Sequence, residues 1–147
     1  MGPRSVLERQ PKGGPKPINA MAETVRWKPM FCGAYHKRRC LVPMNSFFQK
    51  DATGKRYAIS RHDGEVFGVA GIWENWRDPL TSLWERTFAV ITVPANELVA
   101  PIHDRMLAIL PNDQFPRWLS DEEDPHDLLV PFPAEHLVVT AQRQRRP

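Results

Sequence analysis

The segment at residues 102–106 holds the side chains that a proton-transfer or anion-binding site needs. A histidine side chain can move protons near neutral pH, which makes His103 a candidate, and Arg105 can bind a phosphate through two parallel hydrogen bonds. Residues two apart on an extended segment face the same side, so we expect His103 and Arg105 to share a pocket while Asp104 points away. The alternative is structural: His103 caps a turn and Arg105 pairs with a surface carboxylate.

Asn19 is a second candidate for a site residue, and it lies four positions before Glu23. An asparagine amide both donates and accepts hydrogen bonds, so it can orient an amine or a backbone group. Asparagine is also common in turns and helix caps, and that alternative stays open for Asn19.

The two cysteines could support a cysteine hydrolase with His103 as the base. The sequence gives this hypothesis little support, because Cys40 precedes an apolar strand and Cys32 lies inside a short helical pattern. Cysteines buried in such elements behave mostly as small hydrophobic residues. The histidines and cysteines show no metal-ligand spacing. We therefore predict neither a metal site nor a cofactor.

The five tryptophans could stack on nucleic-acid bases. Trp73 follows an apolar run and is expected in the core. Trp118 is expected to pack at the end of a helix. Trp76 and Trp84 lie in the polar stretch 75–85, which we predict to be a loop, and they are the better candidates for exposed stacking.

The charge distribution favours an anionic partner. Residues 1–63 hold 13 Lys and Arg against 4 Asp and Glu, whereas residues 64–147 hold 7 against 13. A basic half that also carries Asn19 is consistent with a phosphate backbone. Basic residues that merely keep loops soluble would give the same numbers. With no apolar run of membrane-spanning length, we expect a cytoplasmic protein.

The hydrophobic pattern predicts an α+β fold, with mainly antiparallel strands curled into a partial barrel and short peripheral helices. We predict one domain at residues 18–140, a loose N-terminal arm at 1–17 and a basic tail at 141–147. Strands are expected at 40–42, 47–50, 56–60, 66–73, 87–93, 107–110 and 137–140. Helices are expected around 31–39, at 94–99, and from a cap at Asn112 or Asp113 to Leu119.

Five segments in order, at residues 16–24, 38–43, 71–74, 92–96 and 102–106, resemble the SOS response-associated peptidase family. Members of that family capture abasic sites in single-stranded DNA. The resemblance implies that the α-amine of a cysteine after the initiator methionine attacks the aldehyde of the abasic site, and that the thiol then closes a thiazolidine. It also implies self-cleavage of the methionine, a role in DNA damage, and association with the nucleoid.

The resemblance assigns roles to individual residues. Asn19 matches the asparagine that positions the amine, His103 the histidine that moves protons, and Arg105 a phosphate-binding arginine. The family's acidic proton carrier is replaced by Gln49, an amide that cannot transfer a proton. Further contacts with the nucleic acid are expected from the following residues: Arg38, Arg39, Lys50 and Thr92.

Two other departures bear on activity. Met21 replaces an arginine of the motif, and Gly2 follows Met1 where the family has its cysteine. The chain as written is therefore expected to cross-link DNA weakly or not at all. Two alternatives remain: a non-catalytic single-stranded nucleic-acid-binding module, and a longer protein in which an upstream start supplies the cysteine.

Overall fold

Nine strands in two sheets form the framework of the computed structural model, which describes residues 19–142. The strands are β1 (Asn19–Met21), β2 (Arg39–Met44), β3 (Phe47–Lys50), β4 (Arg56–Arg61), β5 (Phe67–Arg77), β6 (Trp84–Pro94), β7 (Arg105–Leu107), β8 (Ile109–Leu110) and β9 (Leu137–Ala141). The two α-helices are short, α1 (Cys32–Lys37) and α2 (Phe115–Trp118). The fifteen prolines explain the short helices, since a helix interior does not tolerate proline.

The large sheet is built on the long hairpin of β5 and β6. Its order is β1-β6-β5-β2, and β1 is parallel to β6 whereas the other pairs are antiparallel. The pairing of β5 with β6 ends at Gly71 and Val90. Beyond that point β7 pairs with β6 and β8 pairs with β5, so the segment β7–β8 lies between the two long strands. Ala108 bonds both of them, because its N–H donates to Ile91 and its carbonyl accepts from Ala70.

The small sheet, with the order β3-β4-β9, packs its inner side against the large sheet. Phe47 of β3 meets Phe67 of β5 edge to face, with ring centroids 5.8 Å apart. Together the sheets form a half-barrel with few short helices. The predicted α+β fold with a partial barrel is confirmed, down to its mainly antiparallel pairing.

The outer side of the large sheet is covered by α1 and α2. Trp118 of α2 is fully buried and donates its indole N–H to the Cys40 carbonyl, 2.8 Å away. Tyr35 of α1 is also fully buried, and its ring lies 6.2 Å from that of Trp118. Trp118 is therefore the tryptophan of the core, whereas Trp73, which the sequence placed there, is only half-buried.

Three local predictions were wrong. The loop predicted at 75–85 is shorter than expected, because β5 runs through Trp76 to Arg77 and β6 begins at Trp84, which leaves residues 78–83 as the loop of the hairpin. The segment 94–99 forms turns instead of a helix, organised by the Asn96 carboxamide, which accepts from the N–H groups of Leu98 and Val99. The cap predicted at Asn112 or Asp113 is absent, because the segment after Pro111 starts as a 3₁₀ turn without a side-chain cap and continues into α2.

The predicted arm at 1–17 lies outside the described residues, as does the tail beyond residue 142. The first two residues of the predicted tail belong to the small sheet: Ala141 ends β9, and the Gln142 N–H donates to the Arg56 carbonyl at 2.9 Å. Within residues 19–142, no helix is long and apolar enough to cross a membrane.

Candidate nucleic-acid interface

One side of the large sheet carries several of the predicted site residues. Side chains alternate along a strand, and residues paired across strands share a side. The register pairs Asn19 with Val90, Thr92 with Leu107, and Arg105 with Pro94, so Asn19, Thr92 and Arg105 point to the same side. This is also the side on which Phe67 meets the small sheet. We call it the open face.

Arg105 is the centre of the polar cluster on this face. Its two terminal nitrogens bind the Glu23 carboxylate at 2.6 and 2.8 Å, an ion pair between residues 82 positions apart in the chain. One of them also donates to the carbonyl and the hydroxyl of Thr92, at 2.9 and 3.1 Å. The Arg105 side chain is 21% exposed. Its Nε is buried and has no hydrogen-bond partner among the described residues.

This ion pair fixes the protonation state of Glu23. The hydrogen bonds from Arg105 stabilise the ionised carboxylate and hold the pKa of Glu23 below its ordinary value, although partial burial opposes the shift. Glu23 is therefore an anion at neutral pH. It cannot take over the proton-donating role that the resemblance assigns to an acidic residue at the position of Gln49.

His103 lies at the start of the cluster, in the turn that leads into β7. Its Nδ1 is 3.1 Å from the Arg105 N–H, which it can accept when neutral, and 3.4 Å from an Asp104 carboxylate oxygen, to which it can donate when protonated. The His103 side chain is 43% exposed and that of Asp104 92%. Asp104 points into solvent, as expected. The contacts of His103 and Arg105 are those of the structural alternative, because His103 accepts a backbone N–H in a turn and Arg105 pairs with the half-exposed Glu23 carboxylate.

Asn19 and Met21 lie on β1 at the rim of the open face. Met21 is opposite Thr92 and is 47% exposed. Thr92 itself is buried and fixes the Arg105 guanidinium, so the structure gives it a positioning role. Its predicted direct contact with nucleic acid would require Arg105 to move first.

The small sheet places Gln49 on the inward side and Lys50 on the outward side. Gln49 lies two residues after Phe47 and therefore faces the same side of β3, the side that packs against the large sheet. The Gln49 side chain is half-buried. Lys50 is exposed at the end of β3 opposite Arg56. The fold therefore turns Gln49 towards the space between the sheets and turns Lys50 away from it.

Arg38 and Arg39 lie apart from the cluster. Arg38 forms an ion pair with Glu74 at 2.7 Å and donates to the Trp73 carbonyl. Arg39 lies on the covered side and donates to the carbonyls of the following residues: Tyr35, Trp118, Ser120 and Glu122. These bonds join α1, α2 and the segment after α2, so Arg39 is committed to holding the fold together.

Cys40 does not reach His103, because Cys40 lies two strand spacings from Val90 of β6, and Arg105, two residues after His103, is paired with Pro94 four residues farther along β6. Cys40 is paired with Gly71, and Gly71 and Asn19 are both paired with Val90, so three strand spacings, about 14 Å, separate Cys40 from Asn19. Burial raises the pKa of the Cys40 thiol, which disfavours the nucleophilic thiolate. Among the described residues, no group of three or more potential ligands could hold a metal ion.

Glu23 is the site residue that sequence reasoning missed. The only signal was its position four residues after Asn19, and sequence spacing cannot reveal a partner 82 residues away. The same applies to the positioning role of Thr92.

Comparison with known proteins shows which proteins the chain is similar to. The chain matches the sequence model of the family described as "SOS response associated peptidase (SRAP)" over residues 3–144. It is 33% identical to the abasic site processing protein YobE of Bacillus subtilis over 134 residues, which are 86% of this chain and 61% of YobE. It is 31% identical to the abasic site processing protein HMCES of Gallus gallus, over 75% of this chain and 40% of HMCES.

Solved structures give the same result. A protein from Bacteroides thetaiotaomicron superposes with a TM-score of 0.80 at 33% identity, covering 85% of this chain and 58% of that protein. A protein from Bordetella bronchiseptica superposes with a TM-score of 0.79 at 28% identity, covering 86% and 65%. The chain spans about three fifths of the length of the Bacillus relative. With the family matched over nearly the whole chain and the fold shared with its solved relatives, the protein belongs to the SOS response-associated peptidase family.

Proposed function

We propose that the open face binds single-stranded DNA at an abasic site, as part of abasic site processing. The observation that carries the proposal is the cluster of Asn19, Thr92 and Arg105 on one side of the large sheet, with His103 beside it. The relatives are named for abasic site processing, and the segments that resemble the family contribute these side chains.

Arg105 is the residue that we expect to contact the DNA backbone. A phosphate offers the same paired oxygens as the Glu23 carboxylate and can replace it at the guanidinium. Glu23 is 46% exposed, so it can move aside into water at little cost. The DNA would exchange one charge-assisted pair for another, which predicts moderate affinity that falls with salt.

We further propose that the covalent step is weak in this chain. The amide of Gln49 cannot transfer a proton, and Glu23 is held ionised by Arg105. Binding without efficient cross-linking corresponds to the alternative of a non-catalytic single-stranded DNA-binding module. We also propose that the protein acts on nucleoid DNA in the cytoplasm, as part of the DNA damage response. Self-cleaving peptidase activity is a property of the family that, we propose, this chain has lost or weakened.

The test incubates the full chain with single-stranded DNA that contains one abasic site, beside the same strand with an intact base. We expect a native gel to show binding of both strands with preference for the abasic one, and a denaturing gel to show little or no heat-stable adduct. A strong adduct unique to the abasic strand would contradict the weak covalent step. Equal affinity for the two strands would contradict abasic recognition.

A variant tests the role of position 49. Gln49→Glu restores a carboxylic acid in the space between the sheets with nearly unchanged shape. If proton transfer limits the reaction, this variant forms more heat-stable adduct than the parent chain while binding DNA equally well. Unchanged adduct at equal binding would show that the missing acid is not what limits the reaction.

A further inference from the structure

The hairpin of β5 and β6 carries exposed aromatic residues on the same side as the Arg105 cluster. The register pairs Trp73 with Phe88 and Arg77 with Trp84, and Arg86 lies between Trp84 and Phe88 on the same side of β6. Trp84 is 67% exposed and Phe88 39%. We call this set of five residues the hairpin platform.

The arginines of the hairpin platform lie against its rings. The Arg86 guanidinium is 4.2 Å from the Trp73 ring centroid, and that of Arg77 is 5.8 Å from the Trp84 centroid. Arg86 also donates to the Asn75 carboxamide oxygen at 3.4 Å, and Arg77 donates to the Ser82 carbonyl at 3.2 Å. Cations stacked on rings form flat surfaces that carry positive charge.

The two sides of the hairpin differ in charge. Arg77 and Arg86 lie on the open face, whereas Glu74 and Glu85 alternate to the covered side. An occupant of the hairpin platform therefore meets aromatic rings and positive charge together. Single-stranded nucleic acid combines flat bases with phosphates, and proteins bind it through this pair of features.

The hairpin platform lies on the same strand and the same side as the proposed abasic site. Trp84, Arg86 and Phe88 follow one another at every second residue of β6, a spacing of about 6.7 Å. Thr92, which holds Arg105, lies four residues beyond Phe88, about 13 Å farther along the same strand. One strand of DNA can lie along β6 and reach both places.

We propose that the hairpin platform binds the bases of single-stranded DNA that flank the nucleotide held near Arg105. This inference rests on the proposed function for its choice of ligand. It adds a base-stacking surface, with Trp84 and Phe88 as the stacking side chains and Arg77 and Arg86 as cations for the neighbouring phosphates.

The test measures binding of a fluorescent oligothymidine, which has no abasic site, to the full chain and its variants. Stacking on one aromatic side chain contributes enough that Trp84→Ala and Phe88→Ala should each weaken binding about tenfold. Trp84→Phe keeps a ring and should restore most of the affinity. Leu80→Ala, at a 70% exposed apolar position of the same hairpin, is the control and should bind like the parent chain.

A second ligand separates stacking from other effects of the substitutions. A strand of the same length whose nucleotides lack bases keeps the phosphates but offers nothing to stack. The parent chain should bind it more weakly than oligothymidine, and Trp84→Ala should cause no further loss. An equal loss with both strands would overturn the stacking role.

The outcomes also distinguish this inference from the proposed function. Weakened oligothymidine binding by Trp84→Ala and Phe88→Ala supports the hairpin platform even if the chain does not discriminate an abasic strand. Unchanged binding by both variants overturns the hairpin platform even if abasic recognition holds. Sedimentation that shows a dimer dispersed by Phe88→Ala, with DNA binding unaffected, would mean that a second copy occupies this surface.

Discussion

Two arginines, one on each side of the large sheet, show how differently the fold uses the same side chain. Arg39 on the covered side donates to four backbone carbonyls, which cannot leave without moving the chain. Arg105 on the open face binds a carboxylate that is 46% exposed and is attached through a flexible side chain. Because its acceptors are backbone groups, Arg39 holds parts of the fold together, whereas the exchangeable carboxylate leaves Arg105 available to a ligand.

The tryptophans repeat this contrast. Trp118 is fully buried on the covered side, and Trp84 is 67% exposed on the open face. Burial of a large ring stabilises the fold, but an exposed ring beside a cation serves recognition. The covered side should therefore control the free energy of unfolding, and the open face should control binding.

The largest expected effect is that of Trp118→Ala. Removing a fully buried indole costs about 3–5 kcal/mol in the free energy of unfolding, because apolar contacts are lost and a cavity remains. The bond to the Cys40 carbonyl is lost as well. Urea denaturation measures the change, and Trp84→Ala, with an expected change below about 0.5 kcal/mol, is the matched control. Similar losses in both variants would abolish the contrast between the two sides.

The next effect is that of Arg39→Lys. An ammonium group keeps the charge but cannot reach all four carbonyls, so we expect a loss of about 2 kcal/mol in the free energy of unfolding. Arg38→Lys is the neighbouring control. Arg38 forms an exchangeable pair with Glu74, and such pairs contribute about 0–1 kcal/mol. Urea denaturation of both variants decides whether the covered arginine is the structural one.

Arg105→Ala tests the other side of the comparison through binding. We expect about tenfold weaker binding of single-stranded DNA at moderate salt, with the slope of log affinity against log salt reduced by about 0.7, the value for one phosphate contact. Arg61→Ala removes an arginine already paired with Asp63 at 2.7 Å and is the control. An unchanged slope in Arg105→Ala would remove Arg105 from the interface.

The smallest effect concerns pH and Glu23. Because Arg105 lowers the pKa of Glu23 below its unfolded value near 4.5, the pair stabilises the fold above that value and is lost as the pH falls through the folded pKa. The parent chain should exceed Glu23→Gln in stability at pH 6 by less than about 1 kcal/mol, and the difference should shrink at pH 3. Other carboxylates titrate equally in both proteins and cancel. A difference independent of pH would mean that the pair does not contribute.

Much of the fold could be predicted from sequence patterns. Strands such as β3 and β4 follow runs of β-branched and aromatic residues bounded by turns, because local propensity and alternation determine them. The predictions failed where tertiary contacts override local composition. Residues 75–77 and 84–85 of the polar stretch are extended because β5 and β6 pair there, and the helix expected at 94–99 yields to turns fixed by Asn96.

The sequence by itself determined the family, the strand-rich fold and the candidates Asn19, His103 and Arg105, because these depend on residue order alone. Tertiary structure alone decided which arginines hold the fold and which pair with an exchangeable carboxylate: Arg39 donates to backbone carbonyls, whereas Arg38 pairs with Glu74 and Arg105 with Glu23. It also placed Trp84 and Phe88 on the same side of β6 as Thr92, through the register of two strands. Those relations join residues far apart in sequence, and only folding brings them within reach.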